Sequence, residues 1–249
     1  MSTIAAGTTS GTALVSTGNT DGTLQLQVNG TTPSVTLATT GAIGVGSSPS
    51  YGSANQILQS NGSSAAPSWV TASAGAVTFI SSVTASSSAT VSFTSIGATY
   101  DTYMITFTRV LPATDNVRMR LRTSTDNGAT YYSTAGDYKY TNMSLGSNGT
   151  TYDASAGDGE YIEMQGTSLD NDSNTGGLNG VFYLYKPSSA NVILTTWNTA
   201  HVNNTGSIVV VTNGAGGSMT YADVDAIQFF MGSGNIASGT FRLYGIANS

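Results

Sequence analysis

The sequence predicts an all-β protein: an N-terminal extended, β-hairpin-bearing segment that trimerises, followed by a jelly-roll-like β-sandwich. Three observations lead there. No stretch sustains apolar residues at i, i+3, i+4 and i+7, so amphipathic helices are not expected. Short runs of Val, Ile, Thr, Tyr and Phe recur between clusters of Gly, Asn and Ser, the punctuation of strands and turns. The central stretch 100–131 alternates with period two. Tyr103, Ile105, Phe107 and Arg109 fall on one side of a first strand. In a second, Val117, Met119 and Leu121 oppose Arg118, Arg120 and Arg122, the pattern of a half-buried strand. Leu111–Asn116 holds the turn chemistry between them.

Composition narrows the function classes. Only 8% of the 249 residues are charged, and the net charge of −6 gives no basic face for a nucleic acid. Cysteine is absent, which rules out disulfides and thiolate metal sites. No run of about 18 apolar residues is present, and residues 1–18 lack a basic n-region and apolar core, so neither a membrane-inserted helix nor a secretory leader is expected.

Residues 1–72 form the expected attachment segment. Asp21 is their one charged residue, and the first basic residue of the chain is Arg109. Thr23–Val28 and Ser34–Leu37 alternate around Asn29-Gly30, a hairpin signal with the loop lengthened by Thr31-Thr32-Pro33. One copy of this segment is too poor in apolar residues to bury a core. Three copies around an axis can, and identical chains that carry almost no charge meet there without repulsion.

Residues 73–249 form the expected sandwich. Its strands are Ala76–Ser82, Thr90–Phe93, Tyr103–Arg109, Val117–Arg122, Glu160–Gln165, Val181–Tyr185, Val192–Trp197, Ser207–Thr212, Ala226–Met231 and Phe241–Ile246. About ten short strands in some 176 residues fit a jelly roll. The glycine-rich runs 41–46 and 213–217 open no helix and read as turns or chain-packing positions.

Several motifs resemble known families. Gly44-Val45-Gly46, Tyr51-Gly52, Gln56-Ile57-Leu58, Ser60-Asn61-Gly62 and Ala65-Ala66-Pro67-Ser68-Trp69 resemble the connector of bacteriophage tail and tail-fibre proteins, where it precedes a C-terminal β-domain. Residues 11–18 and 30–33 are similar to repeats of virion proteins, and residues 100–103, 111–116 and 233–246 resemble segments of phage structural proteins. The resemblance implies a virion component, a fibre-like homotrimer held to other virion proteins through its N-terminal segment. Ser124-Thr125-Asp126-Asn127-Gly128-Ala129-Thr130-Tyr131 resembles the Asp-box of sialidases, with Tyr in place of Trp. That box is a structural turn which recurs once per propeller blade; its single occurrence here implies a hairpin tip, not a sialidase.

No constellation for catalysis stands out. His201, the sole histidine, lies in the polar stretch 197–204, which reads as a loop, and no G-x-S-x-G elbow accompanies it. It is expected at the surface or against a ligand. The carboxylates Asp158, Glu160, Glu163, Asp170, Asp172, Asp223 and Asp225 sit in turn-like segments, where Asp serves turn geometry. Asp170–Asn174 begins like an EF-hand loop, but Thr175 and Val181 stand where Gly and Glu are needed. No metal or cofactor is expected.

Arg118, Arg120 and Arg122 place three of seven basic residues on one strand face. Such a face either meets Asp or Glu across the sheet, the reading preferred here, or grips an acidic glycan or a carboxylate-bearing partner. Tyr131, Tyr132, Tyr138, Tyr140 and Tyr152 fall in or beside loops and are expected to be exposed, where rings stack on sugars or on protein. These readings lead to a non-enzymatic virion protein, a tail fibre or tail-associated adhesin that contacts the host cell surface, where a surface glycan is one partner such residues allow. The alternative is a capsid fibre or decoration protein, and the remotest a polysaccharide depolymerase.

Overall fold

A computed structural model describes residues 22–28, 32–72 and 75–248. It divides the chain into two compact units, Met1–Ser73 and Ala74–Ser249. The first 21 residues, including the repeat-like run at 11–18, lie outside the described residues.

In the first unit, β1 (Leu24–Val28), β2 (Thr32–Leu37) and β3 (Ile43–Val45) form an antiparallel sheet, and β4 (Gln56–Gln59) pairs with β5 (Ser68–Thr71). The expected hairpin is therefore present, although its connection at residues 29–31 lies outside the described residues. Connector residues act as small braces. Trp69 Nε1 donates to the Ser50 carbonyl at 2.8 Å, and its ring lies on Gly52, where a Cβ would come within 2.8 Å of it.

The second unit is a jelly-roll β-sandwich. Its strands are β6 (Val77–Ser88), β7 (Thr90–Phe93), β8 (Thr102–Pro112), β9 (Met119–Ser124), β10 (Tyr138–Gly146), β11 (Thr151–Gly159), β12 (Ile162–Glu163), β13 (Leu178–Tyr185), β14 (Ile193–Val202), β15 (Val209–Ser218), β16 (Ala226–Met231) and β17 (Ile236–Ile246). One sheet runs β11-β10-β15-β14-β13-β8-β17-β6 and the other β12-β9-β16-β7, with antiparallel pairing throughout. Set aside β10, β11, β14 and β15, and the remaining eight strands order as first, eighth, third and sixth against second, seventh, fourth and fifth. That is the double Greek key of a jelly roll. The two insertions join the same edge and extend one sheet by four strands.

Phe229 on β16 ties the layers together. Its ring lies 5.2 Å from Phe107, 5.6 Å from Phe241 and 5.9 Å from Phe182, one ring from each of three central strands of the large sheet. All four are buried, and aromatic pairs at these distances add attraction beyond area burial.

Strand positions depart from the sequence reading in several places. The pair β10–β11 was not expected, and it places Tyr138, Tyr140 and Tyr152 on strands. The run Asn213–Gly217 is strand within β15, not turn, and its glycines are chain-packing positions: the Trp197 indole occupies the space that a Cβ on Gly214 would need. β14 extends beyond Trp197 through His201, and only Ile162–Glu163 of the expected strand 160–165 pairs in the small sheet. Arg109 does not share the face of Phe107. It takes φ 50° at a bulge in β8, is exposed, and its N–H donates to Asn179 Oδ1 at 2.9 Å.

Candidate functional site

The outer face of the small sheet carries the arginine row. Met119 and Leu121 are fully buried, so period two turns Arg118, Arg120 and Arg122 outward. The register sets Glu163 of β12 directly beside Arg120. Arg118 Nη1 donates to Glu163 Oε1 at 2.6 Å, and Arg120 Nε donates to Oε2 at 3.1 Å. The carboxylate across the strand is thus present, and it is shared by two guanidiniums. Arg120 also stacks on the Tyr161 ring, 4.0 Å from guanidinium carbon to centroid, while Arg122 lies 4.9 Å above Phe230 and donates to the Glu160 carbonyl at 3.2 Å.

Arg118, Arg120, Tyr161 and Glu163 line an open polar cleft of about 370 Å³ together with Asn116, Ser168 and Ser233. Two cations and one anion leave a net positive charge in it. Each arginine donates one N–H to Glu163, whereas a guanidinium has five to offer. Glu163 is buried, and its carbonyl accepts from Asn142 Nδ2 at 3.0 Å, so the acceptor is held while the arginine heads remain partly exposed. Half-buried Tyr140 lies close by: burial, and then the neighbouring charge of Glu163, push its phenol up to about 12, so it stays a neutral donor.

Of the tyrosines expected at the surface, Tyr138 is buried and Tyr131, Tyr132, Tyr140 and Tyr152 are half-buried. Tyr138 is fully buried; its hydroxyl accepts from the Thr123 N–H at 2.7 Å and donates to the Tyr132 carbonyl at 3.1 Å, and burial pushes its phenol up to about 12. Tyr132 is half-buried, its hydroxyl 3.0 Å from Thr125 Oγ1. Tyr131 is half-buried against the turn, with its hydroxyl over Gly128, where a Cβ would meet it at 2.9 Å.

The chemistry of that turn is what the Asp-box reading expects, but the turn is no hairpin tip: it leads from β9 of the small sheet to β10 of the large one, which do not pair. Asp126 Oδ1 accepts from Ser124 Oγ at 2.7 Å and the Thr130 N–H at 2.8 Å, and Oδ2 accepts from Thr130 Oγ1 at 2.6 Å. Gly128 takes φ 85°. The Thr130 hydroxyl and N–H, followed by Ser124, hold the Asp126 carboxyl down to about 2.

His201 is the largest departure. It points into the sandwich from β14, beside Val210 of β15, and is 3% exposed. Neither ring nitrogen has a hydrogen-bond partner, and desolvation alone lowers its pKa to about 4. A polar neighbourhood in sequence concealed a strand whose alternate residues, Thr195, Trp197, Thr199 and His201, all face inward.

Of the carboxylates expected in turns, Glu163 instead sits on β12 and pairs with two arginines, whereas Asp170, Asp172 and Asp225 do serve turns. Asp172 Oδ1 accepts from the Asn174 N–H at 2.8 Å, Asp170 Oδ1 from the Asp172 N–H at 2.7 Å, and Asp225 Oδ1 from the Asn127 N–H at 2.8 Å. Among the described residues, no three His, Asp or Glu side chains gather as a metal site.

One surface escaped the sequence reading. Met143, Leu145, Leu194, Val209 and Val211 project from the outer face of the inserted strands β10, β14 and β15 and are exposed. An apolar hollow of about 470 Å³ adjoins them, lined by Tyr185, Leu194, Ala215 and Met219 among others. Strand periodicity signals two faces, but not which of them the second sheet covers.

No protein-family model, curated protein or solved structure matches the chain.

Proposed function

We propose that this chain is a non-enzymatic structural protein of a phage virion, of the tail-fibre type, that acts as a homotrimer. Its N-terminal unit attaches to other virion proteins, and its jelly roll binds acidic glycan on the host surface. The observation that supports this reading best is the cleft around Arg118 and Arg120. Two guanidiniums held on one buried carboxylate keep donors facing solvent, and Tyr161 fixes the plane of one of them. A saccharide carboxylate fits such a cleft by bidentate, charge-assisted bonds. A single site of this kind binds weakly; three presented together gain effective concentration. The connector-like residues 41–69 support the virion assignment.

The test uses the full chain. Labelled protein is mixed with susceptible bacteria, and excess protein is asked to block phage adsorption. Blocking that is lost in Arg118→Ala/Arg120→Ala supports the cleft. Undiminished blocking by that variant removes the cleft from the mechanism, and absence of any blocking by folded wild-type trimer removes the adhesin reading. The exposed apolar face of β10, β14 and β15 favours a second reading, in which the sandwich packs on a neighbouring virion protein as a capsid fibre or decoration protein. Cross-linking within intact virions distinguishes the two.

A further inference from the structure

The three-stranded sheet of the first unit is apolar on one face only. Its register pairs Leu24 with Leu37 and Leu37 with Ile43, and in the next row Leu26 with Val35 and Val35 with Val45. Directly opposed residues share a face, so six aliphatic side chains project to one side. The other side carries Gln25, Thr36 and Gly44, and it is the covered one. Thr36 is buried, and Pro49 and the Tyr51 ring lie on Gly44, where a Cβ would come within 2.8 Å of both. On the aliphatic side Leu26 is 54% exposed, Ile43 49% and Leu37 37%, Leu24 and Val35 are half-buried, and Val45 is already buried within the chain. A sheet with one wet face turns its polar residues to water and its apolar residues inward; this one is inverted.

We propose that the aliphatic face of β1–β2–β3 is the trimer interface, with three copies of the chain turning Leu24, Leu26, Val35, Leu37 and Ile43 towards a common axis. This rests on the trimeric-fibre reading and supplies its contact surface. Charge favours identical copies as the occupant. Asp21 is the one charged residue among residues 1–72, so like charges do not oppose one another across an axis, and a partner selected by charge finds nothing here to recognise. Size favours three over two. The five side chains present a patch on the order of 300 Å². A stable two-body interface buries about 800 Å² from each partner. Around an axis each patch meets two others and the three close into one core.

The full chain contains no cysteine, which makes the test clean. Sedimentation velocity and native mass spectrometry at micromolar concentration should give three times the 25.3 kDa chain mass. Leu26→Asp/Ile43→Asp should reduce this to the single-chain mass without changing the near-UV spectrum of the sandwich. Met143→Asp/Leu194→Asp, on the exposed face of the jelly roll, should leave the trimer intact. As a milder probe, Leu26→Cys should give covalent dimers on oxidation and Met143→Cys none. A wild-type trimer that persists in Leu26→Asp/Ile43→Asp, and in which Leu26→Cys fails to cross-link, overturns this interface and leaves the trimeric reading standing. A trimer lost in Met143→Asp/Leu194→Asp instead moves the interface to the sandwich and also overturns the proposal. A wild-type monomer overturns both.

Discussion

His201 makes the stability of the sandwich depend on mild acid. Its imidazole is buried with both nitrogens unpartnered, and desolvation alone holds its pKa at about 4 against 6.5 in the unfolded chain. The unfolded state therefore binds more protons between these values. Stability is complete above pH 6.5, falls as pH drops towards 4, and levels off below. At about 1.4 kcal/mol per tenfold change in proton affinity, the loss relative to pH 7 is about 2 kcal/mol at pH 5 and about 3 kcal/mol at pH 4. For a unit of this size that lowers Tm by about 6–12 °C. His201→Leu keeps the volume and removes the titrating group together with both orphan atoms. Urea unfolding of wild type and variant at pH 7, 5 and 4 separates this effect from that of the carboxyls. Asp126, held down to about 2, begins to lose its contribution only below its ordinary value of 3.8. The variant should show a midpoint nearly flat across this range, and a stability at pH 7 no lower than wild type. Equal acid sensitivity in the two proteins would refute the assignment.

Two further outcomes follow from packing and pairing. Gly214→Ala drives a methyl into Trp197 at 2.2 Å and, with the indole also tied to the Met164 carbonyl at 2.8 Å, should destabilise by about 1–3 kcal/mol in urea unfolding with a shift in tryptophan emission. Glu163→Gln leaves Arg118 and Arg120 without their shared anion. Loss of a buried partner costs about 3–5 kcal/mol, and because the arginines are 34% and 25% exposed a smaller loss of about 2 kcal/mol is expected.

Much of the fold was legible because it is written in period two. Thr90–Phe93 and Ala226–Met231 occupy the residues expected of them, and Arg120 meets a carboxylate across the strand. These are local properties: alternation marks a half-buried strand, and turn residues mark its ends. The inserted strands were hidden because they carry the reverse signal. β10 buries Asn142 and Ser144 and exposes Met143 and Leu145, and β15 runs through glycines that make room for Trp197. Their strand state comes from hydrogen bonding to neighbours and not from their own apolar content.

The sequence alone determined that the chain is all-β, that it changes character after residue 72, and that three arginines share one face, since composition and periodicity need no neighbours to be read. The tertiary structure decided what lies opposite each face. It joined Glu163 to two arginines, buried the one histidine and Tyr138 that a polar sequence context placed in loops, and left the aliphatic face of β1–β2–β3 open while covering its polar one. Burial is a property of what packs against a residue, and in a sandwich that partner can lie far along the chain, as Phe229 of one sheet does from Phe107 of the other. No local pattern encodes it.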